Sequence, residues 1–532
     1  MSEKNALLAA IEKTARERPE TVCYRARGAA PTTYGTLWSQ ATALASALAD
    51  RVPGQGPVIV LGHKEALTVA AFLGCLMSGH AYAPVDVELP TARVRDIASQ
   101  IPHATLLATC DVPRGLADLL PTARLLDARA LVRAAASQEA PLVPCPRERW
   151  VTGDQTQYVI FTSGSTGRPK GIEVTAANVA NFTSWLTTFP VVADGGRVFL
   201  DQAHYSFDLS VYELAGALAT GGCLHAVGPD LAGDFPALFS DLATSGIEVW
   251  VSTPSFVDLC LADKSFDARL LPRARLFLFC GEVLHHTTVR ALRERFPEAL
   301  VTNTYGPTES TVAVTYAPVT DAELADPTPL SVGRPRPGTE LRITDPQTGA
   351  PVPEGATGEI VICGDTVARG YYESPQKTAA AFFDATLVDG TPTRAYRTGD
   401  LGHLDERGML YCEGRLDALV KLNGYRIEPG EVEGALEAVE GVAQAAVVPR
   451  VRAGRTDSLV AFVTCEPGGA AALAGTAEPS EFEVARALKE LLAATLPAYM
   501  VPRRIRVVDA LPLTANEKVD RAALAASVVR RR

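Results

Sequence analysis

The chain carries an apolar run, YVIFT (158–162), that leads directly into SGSTGRPKG (163–171). Thr162, Ser163, Ser165 and Thr166 offer hydroxyl donors, Gly164 and Gly167 let backbone N–H groups approach an anion, and Lys170 adds positive charge. That combination suits a phosphate group. The spacing is not the Walker pattern, since Arg168 and Pro169 separate Gly167 from Lys170, and Gly171 follows the lysine. A Ser/Gly-rich stretch is otherwise a flexible linker, but an apolar strand feeding straight into it argues for a positioned loop. NTYGPTES (303–310) closes another apolar run. There Tyr305 can stack on a nucleobase, Thr308 can reach a phosphate, and Glu309 is a hard oxygen ligand for a Mg²⁺ escorting polyphosphate. Alone, the same segment is a Gly-Pro turn. YRTGD (396–400) is read as a loop whose Asp400 can accept from both hydroxyls of a ribose, or make an ordinary Asx turn. Lys518, in LTANEKVDR, taken singly is a solvated surface lysine.

These segments need elements to hold them. Leu37, Ala41, Leu44 and Leu48 recur at helical spacing, PVIVLG (57–62) reads as a buried strand, and 65–77 as a nearly all-apolar helix. The alternation continues with strands in GIEVWVST (246–253), ARLFLFCG (274–281) and ALVTNTYG (299–306), and a helix in VRALRERF (289–296). Alternating strands and helices predict a layered α/β fold, whose ligand site forms at the carboxyl ends of the strands.

The texture changes at GRLD (414–417). ALVKLNGYRIEPGEVEGALEAV reads as strand, turn and a helix opened by Pro429 and acidic residues. Two strands (AQAAVVP and SLVAFVTC), a Gly/Ala/Pro-rich loop (467–479) and a helix opened by a Ser480/Glu483 capping box follow, with Val484, Leu488, Leu491 and Thr495 on one face. The predicted division is a large N-terminal α/β part, 1–416, and a small mobile α+β part, 417–532.

Composition narrows the function. The 532 residues are 47% hydrophobic and 21% charged, which excludes a disordered or collagen-like chain. Fifty basic against 61 acidic residues give −11, which argues against nucleic acid or an anionic membrane as the main partner. Ten scattered cysteines form no C-x-x-C pattern and are expected to be reduced and mostly buried. Early charges at the N-terminus and the lack of an 18-residue apolar run point to a cytoplasmic protein.

Taken in order, FTSGSTGRPKG, FDLS, STPSF, NTYGPTES, GEIVICG with ARGYY, YRTGDL, GRLDALVKLNGYRIEPGEVE, LPAYMVP and LTANEKVDR closely resemble the motifs of the adenylate-forming superfamily, specifically its amino-acid-activating enzymes. The resemblance spans about residues 30 to 523, and FLFCGEVL (277–284) with NTYGPTESTVAVT (303–315) is most similar to stand-alone alanine-activating members that serve a separate carrier protein. It implies ATP and Mg²⁺ as cofactors. Thr162 to Lys170 would form a loop over the β and γ phosphates. Asn303, Thr304 and Tyr305, with Gly306 and Pro307, would hold the adenine, Thr308 a phosphate, Glu309 the Mg²⁺, and Asp400 with Arg415 the ribose. Lys518 would bridge substrate carboxylate and α-phosphate. Asp417 would be a hinge, and Lys421 to Tyr425 the segment presented to the site after the small part turns. One position departs from the family pattern: Glu517 stands where a glycine usually precedes the catalytic lysine, adding negative charge and removing backbone freedom.

By the same resemblance Asp208 receives the substrate α-ammonium, a role that plain carboxylic-acid ligases lack; its plain alternative is a helix N-cap. Leu209, Tyr212, Phe256, Leu278, Cys280, Thr304, Val312 and Ala313 would line the side-chain pocket. Apolar walls without a second charge imply a small neutral amino acid: alanine, with glycine and serine as near competitors, because one methylene is worth only about 1–3 kcal/mol of discrimination. Cys280 reads as a compact wall, not a nucleophile. The handedness of the alanine stays open. A separate phosphopantetheinylated carrier protein is the expected acceptor, and Arg503, Arg504 and Arg506 would dock it or form a solvated surface. Transfer to an amine on a carrier, as in antibiotic-pathway relatives, a CoA ligase for a small acid, and a non-catalytic nucleotide-binding protein stay open as alternatives.

Overall fold

The computed structural model describes residues 5–119, 124–137, 144–164, 168–452, 454–513 and 519–529. Leu37, Ala41, Leu44 and Leu48 are all buried on one face of the helix Tyr34–Arg51, which Thr33 caps by accepting from the Thr36 N–H. That helix packs on Ala66–Ser78, which is apolar all round because it is covered all round.

Among the described residues two large sheets share one core. The first has seven strands in the order Gly370–Tyr371, Lys170–Thr175, Thr156–Thr162, Tyr82–Asp86, Val58–Gly62, Thr105–Ala108 and Arg124–Asp127. In the second, of nine strands, Cys223–Ala226, Val198–Asp201, Val249–Ser252, Leu276–Phe279 and Leu300–Asn303 lie parallel in that order. Their buried faces meet in a single cluster that includes Tyr34, Phe72, Ile160, Leu209, Tyr212, Val251 and Leu278. A five-stranded antiparallel sheet follows, with Pro392–Leu404 pairing with Gly358–Gly364, Phe382–Thr386 and Leu410–Arg415. After Arg415 the chain builds a separate core. It combines the hairpin Val420–Leu422/Tyr425–Ile427, the strands Val442–Arg452, Arg455–Cys465 and Arg504–Val507, and the helices Pro429–Glu437 and Glu481–Ala493.

Four expectations need correcting. Asp400 is inside a strand, not a loop: Gly399 at φ +69° makes an irregularity within Pro392–Leu404, and the register against Gly358–Gly364 shifts there. A Gly-Asp pair that reads as a turn is a bulge. The segment read as strand, turn and helix is a full hairpin, because Asn423 and Gly424, at φ 51° and 83°, close a two-residue turn of the Asn-Gly kind. The expected loop at 467–479 contains the helix Gly469–Ala474, in which alanines supply the helix propensity. On Glu481–Ala493 the capping box forms as read, but Leu492, followed by Leu496, is buried below Val484 and Leu488, while Leu491 and Thr495 are exposed. Two turns at period 3.6 do not distinguish these two continuations of the stripe.

All ten cysteines are free thiols and seven are buried. Among the described residues no helix is long and apolar enough to cross a membrane.

Candidate functional site

Thr162 ends its strand paired with Lys170 at the start of the next, so the phosphate-type loop is the tip of a β-hairpin rooted in the core. Ser165, Thr166 and Gly167 lie outside the described residues, as do Glu517 and Lys518. Thr162 Oγ1 is buried without a hydrogen-bond partner among the described residues. A buried hydroxyl left open in this way suits an incoming phosphate oxygen.

Glu309 sits on a short turn, Thr308–Ser310, and is fully buried. Its oxygens accept from Arg426 Nη1 at 3.0 and 2.8 Å and from the Tyr371 hydroxyl at 2.9 Å, and Lys170 Nζ lies 3.6 Å away. Burial alone would raise its pKa, but the Arg426 and Lys170 cations hold it down at about 2. Among the described residues no three His, Cys, Asp or Glu cluster to hold a metal. A Mg²⁺ bound mainly through polyphosphate and water needs only one or two protein carboxylates, and Glu309 fits that role chemically. In this arrangement Arg426 holds both of its oxygens, so Arg426 and a cation are alternatives at Glu309.

Asp208 is also buried, at the start of the helix Leu209–Ala219, yet its side chain makes no capping hydrogen bond. Burial pushes its pKa up to about 7, with the Glu309 charge adding and the Thr308 hydroxyl, Lys421 and Arg426 opposing. Leu209, Tyr212, Leu278, Cys280, Val312 and Ala313 gather in the same core cluster, and the Thr304 hydroxyl donates to the Phe279 carbonyl at 2.7 Å. Phe256 stands apart from them: it is half-buried and stacks on Trp250 in the neighbouring core. Burial raises the Cys280 thiol to about 11, which keeps it protonated and confines it to packing.

The Tyr305 hydroxyl donates to Asp400 at 2.6 Å, and Arg415, directly across the strand pair from Asp400, forms an ion pair with it. Arg415 also donates to Asp417 at 2.7 and 2.9 Å. Asn303 is pinned by its amide to the Ser331 carbonyl at 3.0 Å. Thr304, Tyr305, Gly306, Asp400 and Arg415 line a cavity of ≈ 590 Å³ that Lys421 and residues of the C-terminal part complete. That is room for a nucleotide.

Lys421 lines this cavity, and the segment that runs on to Tyr425 packs against residues of the large part. The Gly424 N–H donates to Glu282 at 2.8 Å, and a Cβ on Gly424 would stand 2.4 Å from a Thr253 methyl. Tyr425 stacks on Tyr499 with ring centres 3.8 Å apart and approaches Phe207. Below the hairpin, Ser163 Oγ donates to the Arg426 carbonyl at 2.5 Å and the Gly164 N–H to Glu431 at 3.1 Å, while Glu431 pairs with Arg93. Arg426, Tyr371, Glu282, Glu431 and Arg93 were not singled out in the sequence. The available signal was an arginine two residues past an Asn-Gly turn, on a strand whose neighbours are apolar. Arg503 and Arg504 are exposed, and Arg506 packs over Phe462.

Residues 11–372 match the AMP-binding enzyme family, and residues 431–518 match the AMP-binding enzyme C-terminal domain. The chain is 40% identical to a D-alanine–D-alanyl carrier protein ligase of Bacillus licheniformis over 97% of its length and 98% of that protein's, and 38% identical to one from Listeria welshimeri over 98% of each. Its structure is similar to that of an NRPS protein containing adenylation and PCP domains bound to a vinylsulfonamide inhibitor, with a TM-score of 0.79 at 29% identity, covering 98% of this chain and 84% of that one. The chain is a member of the AMP-binding enzyme family of adenylate-forming enzymes.

Proposed function

We propose that this ligase activates a small neutral amino acid, alanine before others, and passes it to a separate phosphopantetheinylated carrier protein. An oxygen of the amino-acid carboxylate attacks the α-phosphorus of ATP, the bond to the β-phosphate breaks, and pyrophosphate leaves with its electron pair. The carrier thiolate then attacks the aminoacyl carbonyl and AMP departs. The observation that carries the reading is Asp208: a buried carboxylate, uncapped and without an ion-pair partner among the described residues, beside a compact apolar pocket. A substrate ammonium supplies the missing charge. The names of the relatives, ligases for D-alanine and a D-alanyl carrier protein, support both the amino acid and the acceptor.

In this reading Thr162, Ser163, Gly164 and Lys170 hold the β and γ phosphates, Asn303 to Thr308 the adenosine and α-phosphate, and Asp400 with Arg415 the ribose. Glu309 would hold a Mg²⁺, which when bound neutralises polyphosphate charge. Residues 1–416 form the platform and 417–532 turn about Asp417, bringing either Lys518 or the 421–425 segment to the site. Donors arranged in advance around the α-phosphorus stabilise the charge that develops there. Amino-acid-dependent exchange of pyrophosphate into ATP, run in parallel with D-alanine, L-alanine, glycine, serine and β-alanine, tests the reading. Alanine should drive exchange most strongly, and Lys518→Ala should suppress it far more than transfer from preformed aminoacyl-AMP. Exchange driven by acetate or propionate but not by alanine would overturn it.

A further inference from the structure

Arg93, on the helix Thr91–Ala98, is buried, and its acidic partner among the described residues is Glu431 of the C-terminal part. The other oxygen of Glu431 accepts from the Gly164 N–H of the phosphate-type loop at 3.1 Å. One carboxylate therefore fills a seat made of a guanidinium and a loop N–H, which is a seat for an anion. Beside it the same C-terminal part offers Arg426 to both oxygens of Glu309, and its backbone to Ser163 Oγ, which donates to the Arg426 carbonyl and accepts from the Glu428 N–H at 3.2 Å. Docked in this way, the C-terminal part sets a carboxylate where the loop takes an anion and a guanidinium where a carboxylate would take a cation. Polyphosphate and the docked part compete for the same groups. When Glu431 withdraws, Arg93 loses its acidic partner among the described residues, and the seat is open to another anion.

We propose that Arg93 and the Gly164 N–H form a polyphosphate-binding seat, occupied by Glu431 in the docked state, so that Arg93 is a phosphate-binding residue and pyrophosphate competes with docking of residues 424–431. The inference rests on the site being a nucleotide site and is independent of which amino acid it activates. Binding of inorganic pyrophosphate with Mg²⁺, and of AMP as a control that does not reach this seat, is measured by calorimetry on the full-length chain. Arg93→Ala should weaken pyrophosphate binding about 10-fold or more, the scale of a lost charge-assisted hydrogen bond, with AMP affinity unchanged and partial recovery in Arg93→Lys. Glu431→Gln, which removes the competing charge, should bind pyrophosphate more tightly than the wild type. In the wild type, saturating pyrophosphate should speed amide hydrogen exchange across 424–431. Unchanged pyrophosphate affinity in an Arg93→Ala protein that still binds AMP overturns the proposal, as does exchange at 424–431 that ignores pyrophosphate. Should Arg93→Ala lose AMP binding as well through misfolding, Glu431→Gln decides alone: tighter pyrophosphate binding supports the seat, and unchanged binding refutes it. A wild-type chain that binds neither AMP nor ATP would instead refute the nucleotide-site reading.

Discussion

Asp208 and Glu309 are two buried carboxylates close enough for the charge of one to act on the other, yet their acidities are driven apart, to about 7 and about 2. Burial pushes both upward. What separates them is the company each keeps. Glu309 is gripped by Arg426 and faced by Lys170, so its charge is met twice. Asp208 has a hydroxyl from Thr308, with Lys421 and Arg426 acting only through space. Glu309 is thus saturated by the protein itself in this docked arrangement, whereas Asp208 has no ion-pair partner among the described residues. A buried group that lacks its counter-ion is a receptor, and one that has it is a latch.

The contrast is broken most forcefully at its satisfied end. Arg426→Met leaves Glu309 buried with the Tyr371 hydroxyl and the more distant Lys170 cation, and should destabilise the docked arrangement by about 3–5 kcal/mol, the cost of stripping one partner from a buried pair. Amide exchange at Gly424 and Tyr425 reports it; protection equal to the wild type would show that the pair contributes nothing to docking. At the unsatisfied end, Asp208→Ala should weaken amino-acid binding by about 2–5 kcal/mol while leaving ATP binding intact. An unchanged KM for the amino acid would reduce Asp208 to a structural residue.

How much of this contrast was legible in the sequence follows from how far each contact reaches along the chain. The strands at 58–62, 249–252, 276–279 and 300–303 stood out because buried parallel strands are continuous apolar runs. Their polar tails, Cys280 and Asn303 to Glu309, stood out with them. The Asn-Gly turn at 423–424 carries its hairpin in two letters. Asp400 was misplaced because a glycine bulge and a glycine turn look alike in one dimension. Leu492 was passed over because its helix offers two nearly equivalent stripes. The Arg93–Glu431 pair, 338 positions apart, exists only because two separate cores meet, and no local pattern encodes such a meeting. Arg426 lies inside a recognised motif, but its partner Glu309 is 117 positions away, so its role had to come from the fold.

The smallest and sharpest expected effect concerns pH. Because Asp208 titrates near 7 in the free site, a substrate ammonium must displace a proton from it in more acidic solution. Its kcat/KM for the amino acid should therefore be flat just above pH 7 and fall by up to about tenfold per unit below, while ATP binding, which does not touch Asp208, keeps its own profile. Folding runs in the opposite sense. A carboxyl whose pKa is raised in the native state contributes stability at pH values below its ordinary range near 4, and that contribution is lost as pH rises towards 7. Asp208→Asn should then abolish the acid limb of the amino-acid profile and raise Tm at pH 8 more than at pH 4, since the variant keeps the shape of the side chain without a charge to bury. A variant with an unaltered acid limb would assign that limb to another group. A Tm gain equal at both pH values would mean that Asp208 is not charged at pH 8, and the receptor would then be a neutral acid that ionises only when the ammonium arrives.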